Sequence, residues 1–139
     1  MPYKERQEHL RETWSFTCTC PLCTSSADVR ETSDARRHGI ARLRRELSRA
    51  TEEGQWGEVG RASRDAIGLC EEEGLVALIP EFEAALARGY LELGEPMEAQ
   101  AWGDRALEGR WVFGGERAVE EAEELIRVIE AKIREGRQE

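Results

Sequence analysis

The chain has no run of about eighteen apolar residues, and its first residues, Met1-Pro2-Tyr3-Lys4-Glu5-Arg6, are polar. Neither a membrane-spanning helix nor a secretory leader is expected, and the protein reads as intracellular, with no address that separates nucleus from cytoplasm. Aromatic residues are few at 6%, and hydrophobic residues reach only 40% against 35% charged, which suits a solvated helical protein better than a thick-cored one. Lysine is nearly missing: 18 of the 20 basic residues are arginine. The basic residues are outnumbered by 29 acidic ones, and the net charge of -9 makes nucleic acid a poor partner for the chain as a whole. Several catalytic signatures are also missing. There is no G-x-x-x-x-G-K-S/T, no H-E-x-x-H and no G-x-S-x-G, and two histidines without a paired nucleophile make no case for an independent hydrolase. With 139 residues, the chain has room for one core, or for a small motif and a compact helical domain, but not for a large two-domain enzyme.

What is present is unevenly distributed. Residues 1–50 carry 10 basic and 7 acidic side chains, while residues 51–139 carry 10 and 22, so the two parts are expected to do different jobs. Three of the four cysteines, Cys18, Cys20 and Cys23, form a C-x-C-x-x-C cluster. Cysteines two apart project poorly for pairing, and in a reducing compartment the cluster reads as metal ligation by thiolates, suited to tetrahedral zinc at about 2.3 Å. Three small buried residues without a metal are the bland alternative. The set is one ligand short of a structural zinc site, and neither His9 nor His38 stands at a conventional ligand spacing. Cys70 lies apart, beside Ile67 and Leu69, and reads as a small core residue.

The cluster divides the chain into a segment 1–32 and a helical domain 33–139. Ahead of the cysteines, Lys4 to Thr13 reads as a short charged helix with Leu10 inward, and the alternation Trp14-Ser15-Phe16-Thr17 predicts an extended entry. Thr32, Ser33 and Asp34 are candidate helix caps. Helices are expected over about 34–52, 56–73, 80–93, 96–110 and 115–135, broken by Gly54, Gly74, Gly94 and Gly114-Gly115, with Pro80 and Pro96 in first turns. Residues repeat at an offset of 40, pairing Gly54 with Gly94, Glu58 with Glu98 and Ala66 with Ala106. Each repeat reads as an antiparallel helix hairpin, 34–73 and 80–110. The second, with Ala87, Tyr90, Gly94, Ala99 and Ala106, resembles the tetratricopeptide repeat (TPR), except that Gly103 and Trp111 stand where a large residue and a proline are usual. Val119, Ala122, Ile126, Ile129 and Ile133 give the last helix one apolar stripe, for capping the stack or, alternatively, for a coiled-coil dimer. The expected fold is mainly α: a short zinc knuckle followed by TPR-like hairpins.

The stretch Glu5-Arg6-Gln7-Glu8-His9-Leu10-Arg11-Glu12-Thr13-Trp14-Ser15-Phe16-Thr17-Cys18-Thr19-Cys20-Pro21-Leu22-Cys23 resembles the post-SET segment of SET-domain protein-lysine methyltransferases of the SMYD type. In that family an E-R-x-x-x-L-R-x-x-aromatic-x-F run leads into C-x-C-x-x-C, and a TPR-like domain follows. The resemblance implies that Cys18, Cys20 and Cys23 bind zinc with a fourth cysteine from the SET core. It also implies that Phe16 packs near the adenine of S-adenosylmethionine and that Trp14, where tyrosine is commoner, lines the target-lysine channel. Aromatic faces suit both tasks, although either residue could instead anchor the knuckle to a neighbouring domain. The SET core's cofactor motif, Asn-His-x-Cys segment and catalytic tyrosine do not occur here, so the resemblance implies a core N-terminal to Met1, no catalytic residue in this chain, and no activity alone. The rival expectation is a non-enzymatic adaptor built from a zinc knuckle and helical repeats.

Arg36, Arg37, Arg42, Arg44, Arg45 and Arg49 line one helix, facing in sequence the acids Glu71-Glu72-Glu73 and those from Glu116 to Glu130. Intramolecular pairing is the expected outcome, ahead of a nucleic-acid patch. An acidic concave surface near Glu71 to Glu73 would favour a basic protein or histone-like peptide as partner.

Overall fold

Three turns of one kind set the path of the chain. The structure, a computed structural model, describes residues 1–138, which form α1 (Tyr3–Trp14), α2 (Ala27–Glu52), α3 (Trp56–Glu73), one turn of 3-10 helix (Val76–Leu78), α4 (Ile79–Glu92), α5 (Pro96–Phe113) and α6 (Glu116–Gln138). No strand occurs among the described residues. After α2, α3 and α4 the chain turns at Gly54, Gly74 and Gly94, with φ of 68°, 73° and 80°, a left-handed conformation that a Cβ disfavours. The next residue's N–H then reaches back into the helix: Gln55 to the Ala50 carbonyl, Leu75 to Cys70 and Glu95 to Tyr90, each at 2.9 Å. Links this short force neighbouring helices to run antiparallel. Ser33 near the start of α2 accordingly meets Glu73 at the end of α3, and Gly89 late in α4 meets Trp56 and Val59 at the start of α3.

The main core is filled by Ile40 and Leu43 from α2, Ala62, Ala66, Ile67 and Cys70 from α3, and Phe82 and Leu86 from α4. Burying a side chain such as Phe82 or Leu86 contributes roughly 1.5–3 kcal/mol. A second cluster joins Ala87 of α4 and Ala99 of α5 to Ile129 of α6, with Trp102, Leu125 and Ile133 against it. The predicted stripe on the last helix therefore packs inside the chain: Val119, Ala122 and Ile129 are buried, and Ile126 and Ile129 lie against Gly103 of α5. Gly109 of α5 faces Pro80 so closely that a Cβ there would lie 2.4 Å from the Pro80 Cγ.

The mainly helical expectation holds, and its boundaries need three corrections. α2 starts at Ala27 rather than near 34 and runs unbroken through residues 32 and 33, with Ser26 as its N-cap accepting from the Val29 N–H at 3.4 Å. Ser33 and Asp34 do other work: Ser33 is buried and donates to the Glu73 carboxylate, and Asp34 accepts the Tyr3 N–H at 2.9 Å. Trp14 is the last residue of α1, not part of an extended entry, because the left-handed turn comes one residue later at Ser15 (φ 51°). α5 continues to Phe113, a turn beyond the expected end at 110.

Candidate metal centre

The C-terminus of α1 folds the cysteine segment back on itself. At the Ser15 turn, the N–H groups of Ser15 and Phe16 bond the carbonyls of Arg11 and Leu10 at 3.0 and 3.2 Å, which ends the helix and reverses the chain. The returning strand of backbone is held by Gln7. Its Oε1 accepts the Cys18 N–H at 2.9 Å and its Nε2 donates to the Cys18 carbonyl at 3.0 Å, so one amide satisfies both polar groups of that residue. At 6% exposure Gln7 is buried, as such a two-bond clamp requires. Beyond it, the Cys23 N–H points to the Cys20 Sγ at 3.4 Å, and Thr24 bonds the Cys20 carbonyl through its N–H (3.0 Å) and its hydroxyl (2.9 Å). These bonds close a tight turn from Cys20 to Thr24.

The result is convergence: the Sγ atoms of Cys18, Cys20 and Cys23 all lie within 4.8 Å of one another. Thiolates about 2.3 Å from a tetrahedral ion are about 3.8 Å apart, so small side-chain rotations let the three sulfurs share one metal ion. No further His, Cys, Asp or Glu joins the group among the described residues. The donor set is soft and, once deprotonated, strongly anionic, which suits a thiophilic divalent cation.

The thiols differ in acidity. Cys20, which is exposed, is lowered to about 7, first by the hydrogen bond from the Cys23 N–H and then by the neighbouring thiols of Cys18 and Cys23. Cys23 is pushed upward by burial, an effect partly opposed by Arg6. The Arg6 Nη2 lies 3.7 Å from the Cys23 Sγ and supplies a positive charge beside the cluster. A metal therefore meets one thiol lowered toward neutral pH and one that burial holds above its ordinary value, against which the Arg6 guanidinium works only in part.

Trp14 and Phe16 flank this site at the end of α1 and just after it, with 71% and 51% of their surfaces exposed. Cys70 is wholly buried in the main core, and burial raises its thiol to about 11, as befits an inert packing residue. His9 and His38 are exposed and do not join the sulfur cluster. Among the acids, Glu72 and Glu73 pair with the arginine row: Arg36 reaches Glu72 at 3.4 Å, and Arg37 reaches Glu73 at 2.7 Å. Among the described residues the ion pairs of α6 stay within that helix instead, as in Arg117–Glu121 and Arg127–Glu124.

Two residues with work at this site, Gln7 and Arg6, were not singled out by residue chemistry. The signal for Gln7 was its position in Tyr3, Gln7, Leu10 and Trp14, an i, i+4, i+7, i+11 stripe in which a polar residue replaces an apolar one. No protein-family profile, no curated protein and no solved structure matches this chain.

Proposed function

We propose that this chain is the C-terminal part of a SET-domain protein-lysine methyltransferase of the SMYD type. On this reading the cysteine segment is a post-SET zinc knuckle and the hairpins of α2 to α6 are a TPR-like domain. One observation carries the proposal: three thiols converge within 4.8 Å, directly after the Arg6 and Phe16 motif, and a fourth ligand is lacking among the described residues. A structural zinc site takes four protein ligands, so on this reading the fourth comes from outside this chain. Cys18, Cys20 and Cys23 would hold the zinc, the guanidinium of Arg6 offsetting its surplus thiolate charge. Phe16 would wall the adenine side of the S-adenosylmethionine pocket, and Trp14 the channel of the target lysine, their exposed faces being available for both. S-adenosylmethionine supplies the methyl group in a complete enzyme, and this chain contributes walls and zinc ligands but no catalytic residue. Such an enzyme works in the cytoplasm or nucleus on a protein substrate.

The adaptor reading draws on a different observation, since Gln7 and Arg6 shape the knuckle entirely from this chain's own α1. Zinc stoichiometry separates the two. We expect the purified chain, titrated against a competing chelator, to bind zinc weakly, to lose it in Cys18→Ser, and to show in its cobalt derivative the spectrum of three thiolates with a solvent ligand. One tightly held zinc per chain with four protein ligands would overturn the open-site reading and favour the adaptor.

A further inference from the structure

The arginine row on α2 splits into two groups in the folded chain. Arg36, Arg37 and Arg44 turn toward the stack and pair with Glu72, Glu73 and Glu81. The other group faces outward. His38, Arg42, Arg45 and Arg49 recur at i, i+4, i+7 and i+11, so they stand in one line along the exposed side of the helix, a ridge of about 16 Å. Two of its members have only weak partners one turn on: Arg42 lies 3.8 Å from Glu46 and Arg49 lies 3.4 Å from Glu53, just past the end of α2, with the arginine side chains 66% and 58% exposed. Arg45 forms no ion pair among the described residues. Surface grooves of about 660 and 600 Å³ run along either side and share Ala41 and Arg45, and Glu52 is the one carboxylate lining either of them. In a chain of net charge -9, this is a concentrated reversal of sign.

We propose that this ridge is a docking surface for a short Asp/Glu-rich segment of a partner protein. Charge complementarity selects an acidic occupant, and the length of the ridge selects a short one. Carboxylates interrupt the ridge at both ends, Glu31 and Asp34 before His38, mixed there with Lys4 and Arg30, and Glu52 and Glu53 after Arg49, so no continuous basic track extends it for a long polyanion such as duplex nucleic acid. The arginines offer planar, forked donors that match carboxylates two bonds at a time. This surface is independent of the cysteine site, and its partner has the opposite charge to the basic peptide expected from the sequence.

The test uses the full chain and a fluorescent oligoglutamate of about five residues, whose extended length of roughly 16 Å matches the ridge. We expect saturable binding at low ionic strength that weakens with salt. Affinity should fall about tenfold in Arg42→Gln/Arg45→Gln/Arg49→Gln, fall by a smaller factor in Arg45→Gln alone, and stay unchanged in the α6 control Arg117→Gln/Arg127→Gln. Circular dichroism checks that each variant is folded, and the single variant carries the test if the triple one is not. Absence of binding, binding unchanged in the ridge variants, or displacement of the peptide by short duplex DNA at equal concentration would each overturn the proposal.

Discussion

At the scale of single residues, the site depends on side chains whose neighbours decide their roles. Arg6 would be one more surface arginine, but 3.7 Å from the Cys23 Sγ it places a positive charge beside the three cysteines, where bound metal would leave them anionic. Removing such an outer partner typically costs about 10–100-fold in metal affinity, so Arg6→Ala should weaken zinc binding by that order with the helical content unchanged, read by chelator competition. Equal zinc affinity in the variant would sink that role. Ser63 is the opposite case. Its hydroxyl is completely buried in α3 without a hydrogen-bond partner among the described residues, and burying an unpaired hydroxyl costs about 1–3 kcal/mol. Ser63→Ala also improves helix propensity, so it should raise stability by about 1 kcal/mol in urea unfolding; a lower midpoint would reveal a partner for that hydroxyl. Sequence exposed the cysteines because thiol spacing is written along the chain. It hid Gln7, Arg6 and the orphaned Ser63, whose chemistry comes from burial and from groups brought near by folding.

Between elements, small contacts fix how closely helices approach. Gly109 lets α5 pass the Pro80 ring at the start of α4, where a Cβ would lie 2.4 Å from Cγ. The ring is rigid, so Gly109→Ala should push the helices apart and lower stability by about 1–3 kcal/mol despite the better propensity of alanine. Gly68→Ala is the matched control: nothing lies within 4 Å of the added methyl, and the variant should gain up to about 1 kcal/mol. If both variants move the same way, packing at Pro80 is not the cause.

A second link between elements is ionic. Glu73 at the end of α3 accepts from Ser33 and Arg37 of α2 and lies 3.5 Å from Arg36. Burial alone would raise its carboxyl, yet the Ser33 hydroxyl and the two guanidiniums hold it below the ordinary value. A lowered folded pKa means stability that is fully present at neutral pH and lost as the pH falls below about 4.3 and through the folded value. Glu73→Gln should therefore cost about 1–3 kcal/mol at neutral pH, and its gap to the parent protein should narrow steadily on acidification, which urea unfolding at several pH values would measure. The same contact explains a boundary that sequence misplaced. Ser33 and Asp34 have the chemistry of helix caps, and from residue type alone a capping oxygen is indistinguishable from one used in tertiary bonding, so α2 was expected six to seven residues late. The turns at Gly54, Gly74 and Gly94 were legible because a left-handed residue has few alternatives to glycine.

For the molecule as a whole, the question is whether the metal site and the helical stack depend on each other. Both apolar clusters draw their buried residues from α2 to α6, and from residues 1–26 only Gln7 and Cys23 are buried. The cysteine segment is tied to the remainder chiefly by polar and cation-π contacts at α1, the Tyr3 N–H to Asp34 and the Arg30 guanidinium 4.3 Å from the Tyr3 ring centre. Contacts of this kind contribute little beside two clusters of buried aliphatic and aromatic side chains. Stripping any metal with a chelator should consequently leave the helical circular-dichroism signal in place and shift the thermal midpoint by only a few degrees, while the bond region from Phe16 to Ser25 becomes open to limited proteolysis. Collapse of the helical signal together with metal loss would mean that the knuckle nucleates the stack, as in small zinc-dependent domains. Retention would mean that the stack is a stable platform that folds on its own apolar clusters and carries the cysteine segment at one end, whatever ion that segment holds.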